Sequence, residues 1–309
     1  MQNGGVLVAG AINTDLVARV KRAPAAGETI TGQSFQIFGG GKGANQALAC
    51  ARSGAATVML GAVGNDEFGQ QRLDNLRADG IDVERVARSS SAASGVALIV
   101  VEASGENRIA YVPGATATVS ADDAHAAFRH GQPRIVLSTI ELPGPALGAL
   151  FREAHAMGTR VIVNATPEPA SGRELLPLAD ILIVNETEAL ELLSADQTSS
   201  WADVSDRLRG LGPSTVIVTL GGEGALANVD GTVITMSAPN ANVVDTTGAG
   251  DAFCGAFAAR LAEGTTIDEA VRAGIAAGSL AVTVEGAQRS MPSRDAVDHQ
   301  LELIDEANR

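Results

Sequence analysis

A run of small residues between two aspartates is the strongest candidate for chemistry in the sequence. Asp245-Thr-Thr-Gly-Ala-Gly-Asp251 is followed at once by a segment with helical periodicity and an apolar face. Glycines free the backbone to point several N–H groups in one direction, and a helix start attracts anions through its unpaired amides and its dipole. The amides of Gly248, Ala249 and Gly250 are therefore predicted to hold an anion such as a phosphoryl group.

Asp251 lies in the first turn of this predicted helix. A carboxylate at a helix start is common without any catalytic role. A carboxylate beside an anion-binding turn can also act as a general base, removing a proton from a hydroxyl while the amides hold developing negative charge. The ordinary role does not explain the three small residues before Asp251, so we favour the general base.

Composition limits the partners of the chain. Its 309 residues carry a formal net charge of −14, with 45% apolar and only 3% aromatic residues. An acidic surface repels nucleic acids and anionic membranes, but a local site can still bind an anionic substrate. We find no apolar run of transmembrane length and no signal peptide, which predicts a cytoplasmic location. Cys50 and Cys254 are interpreted as small buried apolar residues.

Most of the chain alternates between predicted strands and helices, which indicates an α/β fold with a doubly wound, mostly parallel sheet flanked by helices. Strands are predicted at 6–12, 57–63, 134–138, 160–163, 181–184 and 215–220, the last followed by a hairpin to about 235. Helices are predicted at 44–52, 66–78, 145–157, 186–193, 201–209, 249–263, 267–283 and 293–304. The range 1–309 is therefore interpreted as one α/β domain.

Two stretches, at about 14–38 and 95–113, have β-like sequence without crossover helices. The second contains an apparent hairpin that turns at Ser104-Gly105. We predict that both stretches form one small antiparallel sheet outside the main sheet. Because ligands of α/β folds bind at the carboxyl ends of the parallel strands, such a sheet is placed to act as a lid.

A glycine-rich run, Gly39-Gly-Gly-Lys-Gly-Ala44, needs to be distinguished from other phosphate-binding loops. A Walker loop requires Ser or Thr after its lysine, and Lys42 is followed by Gly43. A dinucleotide fingerprint follows a buried strand, whereas this run follows the lid-like stretch. Neither motif is matched well, which argues against a nicotinamide-dependent dehydrogenase.

Four motifs together resemble the signatures of PfkB-type carbohydrate kinases. The segment Asp245–Asp251 resembles their C-terminal signature, and three others are Phe38-Gly-Gly-Gly-Lys-Gly-Ala-Asn45 (N-terminal signature), Asn185-Glu-Thr-Glu188 (metal and phosphate) and Thr219-Leu-Gly-Gly-Glu-Gly224 (nucleotide loop). They occur in family order, and the similarity runs from Met1 to the last helix, closest to the ribokinase branch. The resemblance implies an ATP-dependent sugar kinase with a small β-sheet lid.

The resemblance also implies a sugar site. The residues that match the family's sugar ligands are Asn13, Asp15, Gly40, Gly41, Lys42, Asn45 and Glu141, together with Asp251. Several fixed polar groups are what recognition of a sugar requires, since a sugar is polar on every edge. Without the other motifs, Asn13 and Asp15 are equally typical of a turn after a strand.

The same resemblance implies an ATP site with Mg²⁺. Asn185 is expected to bind phosphate, although it is also a typical helix cap. Glu188 is expected to hold Mg²⁺ largely through water, with Glu186 as a further member of that water shell. The nucleotide is expected to contact Thr219, Gly221, Gly222, Gly224 and Gly250, with Ile275, Ala276 and Gly278 on the opposite wall.

A monovalent cation, K⁺, is a further implication of the resemblance. The matching ligands are the side chain of Asp245, the carbonyls of Thr247, Ala281, Val284 and Gly286, and Ser290 through its hydroxyl or carbonyl. Val284 stands where this branch often has a charged residue, but only its carbonyl is required. A cation there is expected to fix the backbone of 246–250 and so preorganise the anion-binding amides.

The resulting expectation is transfer of the γ-phosphoryl of ATP to a primary hydroxyl, O5 of ribose, with Asp251 as the base. Deoxyribose, fructose or a nucleoside remain alternative substrates, and the aromatic residues Phe35, Phe38 and Tyr111 are those available to stack on a base. A sugar-binding regulator is a further alternative, although it has no need of Asp251 or the glycine run. Pairing of two lids in a homodimer is expected to cover the exposed edge and face of the small sheet.

Overall fold

The computed structural model describes residues 5–166, 169–198 and 200–307. The strands are β1 (Val6–Ala9), β2 (Asn13–Arg19), β3 (Ser34–Gly40), β4 (Thr57–Leu60), β5 (Ala62–Gly64), β6 (Ala87–Ser89), β7 (Gly95–Val101), β8 (Asn107–Val112), β9 (Ile135–Thr139), β10 (Arg160–Asn164), β11 (Ile181–Asn185), β12 (Thr215–Thr219), β13 (Ala225–Val229) and β14 (Thr232–Met236). The α-helices are α1 (Lys42–Arg52), α2 (Glu67–Ala78), α3 (Ala121–Gly131), α4 (Gly144–Ala156), α5 (Glu186–Leu192), α6 (Trp201–Arg209), α7 (Ala249–Glu263), α8 (Ile267–Ala281), α9 (Ala287–Ser290) and α10 (Arg294–Ala307).

The main sheet has eight strands in the order β14-β13-β12-β11-β10-β9-β1-β4. Its six strands from β12 to β4 are parallel, and β13 and β14 add an antiparallel edge. The predicted α/β fold is therefore confirmed. The central strands are continuous apolar runs, as expected for strands that are covered on both faces.

Two apolar clusters cover the two faces of the main sheet. Val6 and Val8 of β1 belong to one cluster, which α1, α7 and α8 close, and Leu7 and Ala9 belong to the other, which α3, α4 and α6 close. The alternation follows from the two-residue period of a strand. The carboxyl ends of the parallel strands, where α1 and α7 begin, are left for the site.

A separate sheet of four strands, in the order β3-β2-β7-β8, carries the two stretches without crossover helices. The prediction that it is antiparallel was wrong in one place, because β2 and β7 pair in parallel, with Asp15 opposite Ala97. The connection between these strands contains α1, β4, β5 and α2, which is long enough for a parallel crossover. The β7–β8 hairpin is confirmed, and Gly105 adopts a positive φ of 90° at its turn.

Close packing of glycines divides two of the predicted strands. The strand predicted at 6–12 ends at Ala9, and the chain enters the small sheet at Asn13. A Cβ on Gly10 would lie 2.7 Å from the Cα of Gly43, so α1 passes directly over this point. The strand predicted at 57–63 is interrupted at Gly61, where a Cβ would lie 2.8 Å from the Gly10 carbonyl oxygen. Asn13 and Asp15 thus begin the small sheet rather than end the first main strand.

The helix α3 was not predicted, although its N-terminus carries a recognisable signal. Ser120 accepts from the Asp123 amide, and Asp123 accepts from the Ser120 amide, which forms a capping box. By contrast, α7 has the predicted bounds of 249–263.

Both Cys50 and Cys254 are free and buried. Within the described ranges, every helix is too short or too polar to span a membrane.

Candidate active site

Asp251 lies in the first turn of α7 and is only 7% exposed. The helix begins after Gly248, whose φ of 83° is in the left-handed region that favours glycine. A Cβ on Gly248 would also lie 2.9 Å from the Cα of Ala287. Two amide side chains hold the carboxylate: Asn45 Nδ2 donates to Oδ2 over 2.9 Å, and Gln46 Nε2 donates to Oδ1 over 3.0 Å.

The two donors reach Asp251 because α1 packs closely against α7. A Cβ on Gly255 would lie 2.3 Å from the Cβ of Ala49 and 2.8 Å from the carbonyl oxygen of Gln46. Gln46 Nε2 also donates to Asn164 Oδ1 over 2.9 Å, so both of its N–H bonds are used. Sequence reasoning missed Gln46, although it follows a predicted site residue and lies in the same helix.

The environment of Asp251 works in two directions on its pKa. Burial raises the pKa, whereas the positive charge of Lys42 and the hydrogen bonds from Asn45 and Gln46 lower it, and the pKa lies above its ordinary value. For Lys42, burial lowers the pKa, but the charges of Asp251, Glu188 and Glu141 outweigh burial and raise it. An ammonium is therefore retained between carboxylates in a poorly solvated site.

A cavity of about 180 Å³ opens between these charged groups and the start of α7. Its walls include Lys42, Glu188, Gly248, Gly250 and Asp251. The first amides of an α-helix lack acceptors within the helix, so they are available to an anion here. The Ala249 amide is partly engaged, since it donates to the Thr246 carbonyl oxygen over 3.3 Å. A Cβ on Gly250 would meet no atom within 4 Å, which leaves its amide sterically accessible.

Asn185 and Glu188 form a capping box at the start of α5. Asn185 Oδ1 accepts from the Glu188 amide over 2.9 Å, and Glu188 Oε2 accepts from the Asn185 amide over 2.9 Å. The expected helix cap is therefore present, and both residues still line the 180 Å³ cavity. Burial raises the pKa of Glu188, opposed by the Asn185 amide, Lys42 and Thr166.

Glu141 organises the backbone where the sequence predicts the sugar site. Its Oε2 accepts from the amides of Ala11 at 2.8 Å and Gly43 at 3.0 Å and from Thr139 Oγ1 at 2.9 Å. Its Oε1 accepts from the Lys42 amide at 3.3 Å. The carboxylate thus fixes the turn after β1 against the start of α1, and burial raises its pKa despite these donors.

The glycines before α1 allow the small sheet to approach the site. Gly41 has a φ of 90°, and a Cβ there would lie 2.4 Å from the Ala11 carbonyl oxygen. A Cβ on Gly40 would lie 2.3 Å from Asp15 Oδ1. Burial raises the pKa of Asp15 to about 6, against the lowering effect of Arg72, and the Glu141 charge adds to the rise.

Several buried side-chain oxygens at the start of β2 and of α1 have no hydrogen-bond partner among the described residues. They include Oδ1 of Asn13 and Oδ1 of Asn45, whose residues are 5% and 6% exposed, and also Oγ1 of Thr14 and Oε1 of Gln46. A buried acceptor without a donor is unfavourable unless another molecule supplies one. The two asparagine oxygens lie where the sequence predicts sugar hydroxyls.

A second cavity, of about 520 Å³, lies on the other side of Gly250. The predicted nucleotide residues that line it are Asn185, Thr219, Gly221, Gly222, Gly224, Gly250, Ile275 and Gly278, with Glu186 at its edge. Its volume falls in the range of small-molecule sites. Ala276 is fully buried and is not part of the wall. The segment 238–241 and Phe253 also line this cavity, and sequence reasoning missed both.

The sequence matches the pfkB family of carbohydrate kinases over residues 4–294. The chain belongs to this family. A pfkB kinase transfers a phosphoryl group to a sugar, which agrees with a buried carboxylate beside an anion-binding helix start.

Known relatives of this pfkB kinase match almost its whole length. A ribokinase of Schizosaccharomyces pombe is 35% identical over 96% of this chain and 98% of its own, and a ribokinase of Bacillus subtilis is 36% identical over 96% and 99%. The structure of Arabidopsis thaliana ribokinase complexed with ribose and ATP matches with a TM-score of 0.89 and 33% identity over 97% of this chain and 99% of that one.

In this kinase the predicted cation ligands lie on two neighbouring segments. Asp245 Oδ1 accepts from the amide and hydroxyl of Thr247, at 2.9 and 2.7 Å, and Oδ2 accepts from the Gly286 amide at 2.9 Å. The amides of Val244 and Asp245 both donate to the Val282 carbonyl oxygen. The structure thus brings together the segments 245–247 and 281–290, which carry all six predicted ligands.

Proposed function

We propose that this protein is a ribose kinase that converts D-ribose and ATP to D-ribose 5-phosphate and ADP. The observation that carries the proposal is the position of Asp251, whose buried carboxylate borders a phosphate-sized cavity and is bonded to Asn45 on the sugar side. The whole-length similarity to ribokinases of 35–36% identity supports ribose as the sugar. The related structure with bound ribose and ATP supports both substrates.

Ribose is proposed to bind between the start of the small sheet and the start of α1. Asn13 and Asn45 offer their unpartnered buried oxygens to sugar hydroxyls, and Asp15 offers a carboxylate. Gly40 and Gly41 let the backbone pack directly against the Asp15 carboxylate and the Ala11 carbonyl oxygen, which keeps Asp15 beside the proposed sugar site. Glu141 is proposed to act on this site partly through the four donors that it holds in place, in addition to facing the sugar.

Phosphoryl transfer follows from this placement. Asp251 accepts the proton of the O5 hydroxyl as O5 attacks the γ-phosphorus, and the bond from the γ-phosphorus to the β–γ bridging oxygen breaks to release ADP. The amides of Gly248, Ala249 and Gly250 stabilise the negative charge on the transferring group. Lys42, which faces both Asp251 and Glu188, adds a positive charge to the same cavity.

The nucleotide is proposed to occupy the 520 Å³ cavity, with its γ-phosphate directed past Gly250 into the smaller one. Gly250 and Thr246 line both cavities, which are therefore adjacent at this point. Glu188 offers carboxylate oxygen to the 180 Å³ cavity, so the site fits Mg²⁺, which prefers oxygen ligands and retains water. When bound, Mg²⁺ neutralises phosphate charge; Asn185 and Glu188 are the residues that would hold it and the phosphate in place.

A monovalent cation is proposed for the segments 245–247 and 281–290. Its donors would be the Asp245 carboxylate, the carbonyls of Thr247, Ala281, Val284 and Gly286, and Ser290. One carboxylate with several carbonyls suits a hard cation such as K⁺, and the bond from the Gly286 amide to Asp245 already holds the two segments together. Bound K⁺ would stiffen the turn that precedes the amides of α7.

The small sheet is proposed to act as a lid and to pair with the lid of a second copy of the chain. The face opposite Asp15 exposes Phe35, Ile37, Leu98 and Val112, which are 61%, 46%, 48% and 50% exposed. A contiguous apolar face of this kind is unusual on a monomer. A homodimer with two-fold symmetry would cover both faces with the same contacts.

The experiment that tests the function is an ADP-release assay with ATP, Mg²⁺ and K⁺ against ribose, deoxyribose, fructose and adenosine. Preferential turnover of ribose supports the proposal. Preference for another sugar retains the mechanism and changes the substrate. Absence of turnover with every sugar, while ribose still binds by calorimetry, contradicts the kinase assignment and favours a sugar-binding regulator.

A further inference from the structure

An arginine occupies a position on α2 where a core residue is expected. The buried face of this helix consists of Gly69, Arg72, Leu73 and Leu76, at the spacing of an apolar stripe. Arg72 is 4% exposed, which is rare for a charged side chain without a partner. Arg72 belongs to none of the sequence motifs, and its burial becomes apparent only when α2 is placed against its neighbours.

One nitrogen of the Arg72 guanidinium, Nε, is buried and has no hydrogen-bond acceptor in the part of the chain that the structure describes. A buried charge is strongly unfavourable unless an opposite charge or a hydrogen bond compensates for it. Burial accordingly lowers the pKa of Arg72, and the negative charge of Asp15 opposes that effect.

Arg72 and Asp15 both lie close to the end of β3. A Cβ on Gly39 would lie 2.1 Å from Oε1 of Gln288 and 2.9 Å from Nη1 of Arg72. A Cβ on Gly40 would lie 2.3 Å from Oδ1 of Asp15. The backbone of β3 therefore leaves space for the side chains of Gln288 and Arg72 at one position and for the Asp15 carboxylate at the next. The side chains of Arg72 and Asp15 also border a cavity of about 530 Å³ beneath the small sheet.

Two charges have the largest effect on the pKa of Asp15, those of Arg72 and Glu141. The cavity that Asp15 borders is also lined by the charged residues Arg19, Arg52, Asp79, Asp245, Glu285 and Arg289. The strands β3 and β7, which flank it, carry no ionisable side chain in their sequences. Glu141 acts from beyond β9 and favours the protonated form of Asp15, whereas Arg72 acts from α2 and favours the ionised form. Arg72 is thus the positive charge that counteracts burial and Glu141 at this carboxylate.

We propose that Arg72 is a positioning residue whose charge, across the cavity that both side chains border, keeps the Asp15 carboxylate available to accept sugar hydroxyls. The inference deepens the proposed function, since it assigns the affinity for the sugar and its pH dependence to a residue that does not touch the reacting atoms. An ionised carboxylate accepts from two hydroxyl groups, whereas a protonated one must donate its own proton and accepts less strongly.

The test compares Arg72→Leu with the wild type. Leucine continues the apolar stripe of α2, so the variant is expected to fold with unchanged or higher thermal stability. The matched control is Arg77→Leu, on the exposed face of the same helix, where Arg77 pairs with Asp74. Steady-state kcat and KM are measured for the sugar and for ATP from pH 5.5 to 8.5, on the sugar that the wild type prefers.

The expected result is a KM for the sugar about 10-fold higher at neutral pH, the size of effect of weakening one charged hydrogen bond. The kcat and the KM for ATP are expected to change little. The pH below which the sugar binds weakly is expected to move upward in Arg72→Leu, to be largely restored in Arg72→Lys, and to be unaffected in Arg77→Leu.

Two outcomes would overturn the inference. One is an unchanged KM and pH profile in Arg72→Leu. The other is an effect of Arg72→Leu that is equally large when Asp15 is already replaced by asparagine, since a residue acting through Asp15 has little left to affect there.

Either result leaves the ribose kinase proposal standing if the wild type phosphorylates ribose. A wild type that binds ribose without turnover defeats the kinase proposal, and the affinities measured by calorimetry then decide the role of Arg72.

Discussion

Asn45 on α1 donates from Nδ2 to Oδ2 of Asp251 on α7 across 2.9 Å, and the two residues are 206 positions apart in the chain. Gln46, the next residue, donates to the other carboxylate oxygen. The two bonds fix the plane of the carboxylate and favour its ionised form. Residues of the N-terminal motif and of the C-terminal motif therefore contact each other in one site.

Replacing Gln46 by leucine is predicted to move the acidic limb of the kcat profile to higher pH. The donor lowers the pKa of Asp251, so its loss raises that pKa, and a smaller fraction of the base is ionised at neutral pH. We expect kcat at pH 7 to fall about 10- to 100-fold, within the contribution of a general base. The measurement is kcat against pH, with Gln70→Leu on the exposed face of α2 as the control. An unshifted acidic limb would contradict the assigned role of Gln46.

Replacing Gly250 by alanine is predicted to lower activity without lowering thermal stability. A Cβ at this position meets no atom within 4 Å, and alanine in a helix is more stable than glycine by about 0.5–1 kcal/mol. The melting temperature is therefore expected to be unchanged or higher. The new methyl group lies at the junction of the two cavities, so kcat/KM for ATP is expected to fall at least about 10-fold, the factor of about 1.4 kcal/mol in transition-state binding.

The control for this prediction is Gly248→Ala, two residues earlier. Its positive φ and the 2.9 Å contact of its Cβ with Ala287 predict a lower melting temperature as well as lower activity. Calorimetric melting and ATP kinetics on both variants provide the comparison. Full activity in a stable Gly250→Ala variant would contradict the placement of the phosphates.

Replacing Asp15 by asparagine is predicted to stabilise the ligand-free protein at pH 8. The folded pKa of about 6 lies above the ordinary value of 3.8, so ionisation of Asp15 opposes folding above pH 6 by an amount on the order of 3 kcal/mol. That cost is relieved as the pH falls through 6 and is absent below about 4. The gain in melting temperature is thus expected at pH 8 and should shrink toward pH 4, while ribose affinity falls. A variant less stable than the wild type at pH 8 would show that ionisation of Asp15 does not oppose folding.

A charge on the outer face of the small sheet is predicted to dissociate the proposed homodimer. Ile37→Glu and Leu98→Glu each place a carboxylate in the exposed apolar face, where pairing would bury it without a partner. Light scattering is expected to give a dimer mass for the wild type and a monomer mass for both variants. Met157→Glu, at an exposed position after α4, is the control and should remain dimeric. A wild type that is monomeric at micromolar concentration rules out the lid-to-lid dimer.

The parts of the fold set by local periodicity could be predicted from the sequence. The start of α7 was predicted because its glycine run and its apolar face occur within 15 residues, and α/β alternation is a property of successive segments. The parallel pairing of β2 with β7 was not predicted, because it depends on where a long connection returns. Asn13 was predicted to follow the first strand and not to begin β2, for a related reason: the close approach of Gly10 and Gly43 that ends β1 is a tertiary contact.

The site shows the same division. The predicted residues come from motifs that are continuous in sequence, and they line the two cavities and the turn before α1. The missed residues belong to no motif. Gln46 reaches Asp251 because α1 packs against α7. Phe253 lines the larger cavity together with the segment 238–241. Arg72 lies on α2 but comes close to Gly39 of β3.

The central claim, that Asp251 is the base in phosphoryl transfer to a sugar, is tested most directly by Asp251→Asn. The amide has nearly the same shape as the carboxylate, but only its oxygen can accept, so it keeps one of the two bonds from Asn45 and Gln46. Ribose is therefore expected to bind with a dissociation constant within about 10-fold of the wild type, equivalent to about 1.4 kcal/mol. The kcat of ribose-dependent ADP release is predicted to fall by about 10²–10⁴-fold. A variant that binds ribose and retains kcat within 10-fold of the wild type would contradict the assignment of Asp251 as the base.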